Sequence, residues 1–419
     1  MTRNFSPLLL LLCISMFVNA QKDCAHDNTG LIPIPDLGAG SYRGFTGGLY
    51  PDGSNVRPTE YLNACIEHVQ NIKTLDTDGN FDEDGRIVML GIGASNPGAE
   101  FNKFMEISSY FEPRNDKLTL VNGCVSSIGI QDMNYTAAEY WGNVITLLED
   151  NGLSVDQVQI IWIEEENTEV GDTTFPGAAE TLVTDFHFLL QAIKIMFPNT
   201  QICYVTARAY AGYADSLTED ITNGLKFPRD YYNGWGLKWF IENVINHELG
   251  YNYEGPLAEI PLVTWGSYHW TDGSVARTDG LLLNCEEDVA EDGLHLSGSG
   301  ESKMGEHMLN YFIADTTAKY WFFDEDYTGI YNNEKGNTSL QIFPNPVSGN
   351  QIHINSDNFQ TSEKVDINIF SIDGKQILSL QENYTSDITL SLPELNSGLY
   401  RITMHSENAA TSGSFIITE

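Results

Sequence analysis

Five short apolar runs recur through the larger part of this chain, each separated from the next by a stretch of helical periodicity, and that alternation limits the fold more than any other feature. The runs are Arg86–Ile92, Leu118–Val121, Val158–Ile163, Gln201–Val205 and Pro261–Trp265. Helical patterns cover Ala99–Phe111, Ala137–Glu149, Ala178–Phe197 and Gly234–Asn246, with Gly300–Phe312 after the last run. Runs without polar alternation suit strands buried on both faces. Strand-helix repetition of this kind predicts a three-layer, doubly wound parallel sheet of about five strands with right-handed crossovers. Ligands of such sheets bind beyond the carboxyl ends of the strands, where Ser95, Asn122, Asn167 and Arg208 fall.

At 419 residues the chain is too long for one ordinary core, and its hydrophobic content of 42% is normal for globular folding. The character changes after Trp321-Phe322-Phe323. Asp324–Thr338 is polar and acidic, and short alternating segments follow: Leu340–Phe343, Gln351–Ile354, Val365–Phe370, Gln376–Leu380, Ile388–Leu392, Leu399–Met404 and Ser414–Ile417. They predict a small all-β, immunoglobulin-like sandwich. At the other end, Arg3, the apolar run Leu8–Phe17 and the small-residue site Val18-Asn19-Ala20 read as a signal peptide, too short to span a membrane. The expected organisation is a signal peptide over 1–20, an α/β domain over 21–323, a linker over 324–338 and a β-domain over 339–419.

A formal charge of −37 argues against nucleic acid or anionic membranes as partners, since both would repel it. With Cys13 in the leader, Cys24, Cys65, Cys124, Cys203 and Cys285 remain, an odd number that permits one or two disulfides without specifying a pairing. Cys124 and Cys203, in or beside apolar segments, read as small buried residues.

The chemistry lies in two separated segments, Gly93-Ala94-Ser95-Asn96-Pro97 and Asp292-Gly293-Leu294-His295-Leu296-Ser297-Gly298-Ser299-Gly300. Ser95 supplies a hydroxyl, His295 a base for its proton, and Asp292 a carboxylate to orient the imidazole. Asn96 reads as a helix cap with Pro97 in the first turn, which would aim a helix N-terminus at a developing oxyanion. These blocks resemble the SGNH (GDSL-like) hydrolase family over roughly residues 85 to 315, most closely at Asp292-Gly293-Leu294-His295. The resemblance implies Ser95 as nucleophile, His295 and Asp292 as its partners, and an oxyanion hole from Ser126 and Asn167. For the backbone donor, Ser126 is preferred over Gly123 and Gly129. The chain departs from the family at Ala94, where an aspartate is common, and before Asn167, where a glycine is missing.

Other residues carry two readings each. Arg208, Trp265 and Tyr268 read as substrate contacts, against a salt bridge for the first and core packing for the aromatics, together with His269 and Trp270. Glu164-Glu165-Glu166 reads as a solvated acidic run. Asp76–Gly85 reads as an acidic turn; its alternate oxygens suggest calcium, but Ile87 stands where a calcium loop would close with glutamate. The glycine- and aromatic-rich stretch Tyr42–Tyr50 has no assigned role. The expected chemistry needs no metal and no organic cofactor.

Within the β-domain, Ile342-Phe343-Pro344-Asn345-Pro346, Ile372-Asp373-Gly374-Lys375 and Leu395-Asn396-Ser397-Gly398-Leu399-Tyr400 resemble the C-terminal sorting domain of the Bacteroidetes type IX secretion route. That resemblance implies passage through the periplasm and outer membrane, the secretion machinery as a partner, and release or attachment at the cell surface. The expected function is an extracellular serine esterase acting on short acyl esters, preferably O-acetyl groups of a polysaccharide. The alternatives are a lipid or phospholipid esterase and a non-catalytic glycan-binding or surface protein on the same scaffold.

Overall fold

The computed structural model describes residues 22–25, 27–111, 113–169, 171–214, 224–324, 340–344, 347, 349–356, 359–371, 376–385, 387–393, 395, 398–406 and 410–417. The expected signal peptide and nearly all of the expected linker lie outside the described residues.

Five strands, β1 (Ile87–Gly93), β2 (Leu118–Asn122), β3 (Val158–Glu164), β4 (Ile202–Val205) and β5 (Val263–Trp265), form one parallel sheet. Their spatial order is β2-β1-β3-β4-β5. Every residue of β1, β3, β4 and β5 is buried, as uninterrupted apolar runs require. The helices longer than one turn are α1 (Thr59–Val69), α2 (Ser95–Ser108), α3 (Glu139–Asp150), α4 (Gly177–Met196), α5 (Arg229–Ile245) and α6 (Gly298–Ala314). Helix α2 packs on α6 and α4 on α5. Aromatic rings fill the layers: Phe101 lies 5.5 Å from Trp162 and Phe104 5.3 Å from Phe312, centroid to centroid.

The sheet order decides where a ligand can sit. From β1 the chain steps outward to β2 on one side and then returns to β3 on the other. The connections leaving β1 and β3 therefore diverge, and a crevice opens beyond their carboxyl ends. Ser95 and the segment Glu165–Asn167 follow those two ends directly.

All five expected strands form, with ends shifted by one or two residues. The helix after β1 starts at Ser95, earlier than the expected Ala99, and its N-cap is Ala94, with no side-chain cap bond. Asn96 is thus inside the helix and does not cap it. The reason is geometric: a glycine ends β1, and a side chain on Gly93 would lie 2.5 Å from Pro97 and 2.6 Å from the Glu164 carbonyl oxygen. Without one, the chain turns into α2 through a single residue.

The C-terminal domain comprises β6 (Gln341–Phe343), β7 (Gln351–Asn355), β8 (Lys364–Ser371), β9 (Gln376–Asn383), β10 (Ile388–Ser391), β11 (Gly398–His405) and β12 (Ala410–Ile417). They form two antiparallel sheets, β9-β8-β11-β12 and β10-β7-β6. Val365, Ile367, Ile402 and Phe415 of the first share a core with Ile352, Ile354 and Leu390 of the second. Alternation along each strand sends these residues inward. Of the motif residues, Asn345, Pro346, Asn396, Ser397 and the turn 372–375 lie outside the described residues.

Cys24 and Cys285 form a disulfide across 261 positions of sequence. Cys65 and Cys203 are buried free thiols, Cys124 is half-buried, and burial pushes all three thiols up, Cys65 to about 12. None is poised to react as a thiolate. Reducing Cys24–Cys285, or replacing Cys24 with serine, is expected to lower stability by about 2–4 kcal/mol, read as a shift in the urea unfolding midpoint.

Candidate active site

Ser95 opens α2 at the carboxyl end of β1. The first N–H groups of a helix have no carbonyl one turn back, and among the described residues those of Ser95 and Asn96 make no hydrogen bond; Gly98 is the first to bond back, to Ala94. The Ser95 hydroxyl oxygen lies 2.8 Å from His295 Nε2, although 200 positions separate the two residues. His295 Nδ1 lies 2.5 Å from Asp292 Oδ2. Asp292 Oδ1 accepts the N–H groups of Leu294 and His295 at 3.0 and 2.9 Å. Burial disfavours the Asp292 charge, but the His295 bond and these two N–H groups outweigh it and hold the carboxyl below its usual range. An ionised Asp292 takes Nδ1–H, which leaves Nε2 free to accept the serine proton. The side chains of His295 and Asp292 are 44% and 30% exposed, so the site opens to solvent.

The segment carrying His295 is held from several sides. Ala290 N–H donates to the His295 carbonyl, Val289 bridges Leu296, and Ser297 caps α6 with its hydroxyl. Gly293 turns the segment at φ +73°, and a side chain there would lie 2.2 Å from the Tyr213 carbonyl oxygen, so only glycine fits. Lys22 lies underneath: its N–H bonds Glu291, and its ammonium bonds the carbonyls of Cys285, Glu286 and Val289 at 3.3–3.4 Å.

Of the expected oxyanion donors, Ser126 is exposed and follows Val125, whose N–H bonds the Gly93 carbonyl at the end of β1. The N–H of Gly123 is taken by Gly91 and that of Gly129 by the Asp132 carboxylate, and among the described residues that of Ser126 makes no bond. Asn167 lies otherwise than expected. Its Nδ2 donates to Asp185 on α4 at 2.8 Å and its Oδ1 accepts Glu169 N–H, which ties the amide to its own loop and α4; among the hydrogen bonds between described residues none joins it to Ser95 or His295.

Trp265 and Tyr268 are 1% and 3% exposed and offer no face to a ligand. Trp265 Nε1 donates to the Leu49 carbonyl, and the Arg277 guanidinium lies over the Tyr268 ring. Arg208 is buried too. Its backbone N–H bonds Asn233, and its charge favours ionisation of Glu165, Glu166 and Asp230 against the burial that raises all three. It is a counter-ion of the interior.

The run Glu164–Glu166 is not solvated, because β3 carries it straight into the core without a turn residue. Glu166 pairs with Arg229 at 2.5 Å, and Asn233 donates to the Glu165 carbonyl and to Glu166 Oε2. Glu164 faces Glu100 of α2 and His269. His269 Nδ1 lies 2.8 Å from Glu100 Oε2 and 3.1 Å from Glu164 Oε2, while Nε2 contacts the Ser267 hydroxyl. Among the described residues this group alone brings three metal-ligating side chains together, with ligand atoms within 4.8 Å of one another. Those separations are hydrogen bonds from Nδ1–H, and protons can balance the charge: burial and the Glu100 carboxylate push Glu164 up to about 8, and against burial the two glutamates raise His269 to about 9. In the turn Asp76–Gly85, Asp76 Oδ1 accepts the N–H groups of Asp78 and Asn80, so that carboxylate faces its own backbone.

Residues 341–418 match the family described as the secretion system C-terminal sorting domain. The C-terminal domain is a sorting domain of the type IX route. It marks proteins exported to the cell surface or beyond and implies contact with the secretion machinery. Among the described residues no helix is long and apolar enough to cross a membrane. No curated protein matches the chain. Solved structures with partial likeness include an immunoglobulin-like β-sandwich protein of the DUF3244 family from Bacteroides vulgatus, at 15% identity over 20% of this chain and 86% of that one, TM-score 0.17. Latent PorU from Porphyromonas gingivalis is 18% identical over 19% of this chain and 9% of that one, TM-score 0.16. A protein from Arabidopsis thaliana is 11% identical over 50% of this chain and 67% of that one, TM-score 0.26. Likenesses so slight assign neither fold nor activity to the α/β domain.

The buried cluster makes a test of its own. His269 and Glu164 both titrate above their ordinary values, so the native state holds more protons on them than the unfolded state does, and linkage makes stability fall as pH rises. The Glu164 part is lost between its unfolded value and about 8, and the His269 part between its unfolded value and about 9. From neutral pH to about pH 10, the melting temperature of the wild type should drop faster than that of Glu164→Gln, whose amide stays neutral.

Proposed function

We propose that the exported protein is a serine esterase of the SGNH type. The observation that supports this reading best is the unbroken chain from Ser95 Oγ to His295 Nε2 and from His295 Nδ1 to Asp292, assembled from two distant segments at the crevice between β1 and β3. In the proposed reaction the Ser95 oxygen attacks an acyl carbonyl carbon while His295 Nε2 takes its proton. The tetrahedral oxyanion is held by backbone N–H groups, those of Ser95 and Ser126 being the best candidates, in the positive field of the α2 N-terminus. His295 then returns the proton to the departing alcohol. Water, deprotonated by the same imidazole, releases the acid and restores Ser95. Asn167 was expected as a further donor, but its bond to Asp185 gives it less support than the backbone groups have.

The substrate class proposed is a short acyl ester carried on a polysaccharide. Its support is the openness of the triad, since a half-exposed imidazole can reach an ester on a bulky carrier, together with export to the surface. A lipid esterase remains the alternative within the class. Comparing an acetylated oligosaccharide with a long-chain acyl ester separates them: faster turnover of the first is expected, and preference for the second would overturn the proposed substrate.

Ser95→Ala should lower kcat by about 10⁴-fold or more with the fold unchanged, and Asp292→Asn by about 10⁴-fold, measured on 4-nitrophenyl acetate. A fluorophosphonate should add one adduct, at Ser95, by mass spectrometry. A folded protein without adduct or turnover would overturn the esterase reading in favour of a glycan-binding or surface protein.

A further inference from the structure

Asn96, next to the nucleophile, is 7% exposed, and both ends of its side-chain amide are engaged. Nδ2 donates to the Leu294 carbonyl at 2.9 Å, and Oδ1 accepts the Leu296 N–H at 3.2 Å. Both bonds are buried, and the two peptide groups they reach are those on either side of His295. We propose that Asn96 is the positioning residue of the site: one amide sets the imidazole of His295 in register with the hydroxyl of Ser95. This inference rests on the esterase reading above.

The argument is one of geometry. A primary amide presents a donor and an acceptor side by side in one plane, as a strand residue does to its neighbour, so it can grip an extended segment at two points and block both sliding and twisting. Asn96 and Ser95 are consecutive residues in the first turn of α2, a rigid frame anchored by β1. The path from hydroxyl to imidazole through Asn96 therefore includes no flexible loop. The other restraints on His295 come from its own segment (Ala290, Val289 and the Gly293 turn) or from Lys22 beneath it, and none of these residues belongs to α2. Among the hydrogen bonds between described residues, those of Asn96 alone tie the residues beside the base to the helix that carries the nucleophile.

Other roles fit the contacts less well. Asn96 caps nothing, because Ala94 occupies the cap position and the amide faces the His295 segment. Nor does its side chain suit an oxyanion donor, since it is buried and its amide faces the His295 segment. Few other residues would serve. Aspartate keeps the acceptor for Leu296 but turns an oxygen toward the Leu294 carbonyl, leucine offers neither group, and glutamine is one methylene too long.

The test uses the full-length mature chain with 4-nitrophenyl acetate for turnover and a fluorophosphonate for labelling. In Asn96→Ala and Asn96→Asp, kcat and the labelling rate are expected to fall about 10- to 100-fold while KM stays within about threefold, as displacement of a base by a fraction of an ångström would cause. Asn96→Asp keeps the shape and volume of the side chain, so it remains informative if Asn96→Ala fails to fold; near-ultraviolet circular dichroism reports the fold of each. In a His295→Ala background, Asn96→Ala should cause no further loss, because a residue that acts through the imidazole has nothing left to position. Wild-type-like kcat in either folded variant, or a further loss in the His295→Ala background, would overturn the proposal and leave the esterase reading standing. A wild-type chain that neither turns over nor labels would overturn both.

Discussion

The turn from β1 into α2 takes one residue, Ala94, and this tight junction governs the rest of the site. It exists because Gly93 has no side chain where Pro97 and the Glu164 carbonyl approach. It puts Ser95 in the first turn of α2 instead of a loop, where among the described residues its N–H makes no hydrogen bond. It brings Asn96 within reach of the His295 segment and Glu100, one turn further on, down to Glu164 and His269. Through the Val125 bond to Gly93, the junction also holds the loop after β2 against the same rim. A longer connection would have left each of these contacts to loop geometry.

The parallel sheet was legible because its signal is crude and repeated: strands buried on both faces need uninterrupted apolar runs, and this chain has five. The meeting of Ser95 with His295 and Asp292 was legible for a different reason, since Asp292-Gly293-Leu294-His295 offers a base and a carboxylate at one short spacing and Ser95 follows a strand end. The chain was less readable wherever polar residues enter the interior. Glu164–Glu166 looks like a solvated run because charge usually means surface, yet no turn residue separates it from β3, and that continuity was the available sign of burial. Asn96 looks like a cap since asparagine often caps helices, and no local pattern shows that its partner lies 200 positions away. Trp265, Tyr268 and Arg208 stand near strand ends without facing outward, because sequence position fixes the end of the sheet and not the direction of a side chain.

Charge is distributed unevenly through this molecule. Lysine and arginine number 21 against 58 acidic residues, and several of the bases are drawn inside: Arg229 to Glu166, Arg57 to Asp315, Lys238 to Glu242 and Arg208 among three carboxylates. In a low-dielectric interior such partners are what make buried carboxylates tolerable. Each of these bases goes inside together with a carboxylate, so the exterior keeps the large negative balance of the chain. Neutral molecules can approach such a surface without hindrance, whereas polyanions meet repulsion that weakens as salt rises.

The disulfide between Cys24 and Cys285 closes a covalent ring that contains all five strands of the parallel sheet, and His295 and Asp292 stand on the tail just past the point of closure. A protein that works outside the cell meets proteases, and its exposed turns are where they cut. A single nick anywhere between the two cysteines breaks the chain without parting it. The strand-bearing pieces stay linked to each other and to the segment with the histidine, so they can re-form the same packing. Topology thus gives the α/β domain a tolerance to cleavage that its hydrogen bonds and core packing alone would not.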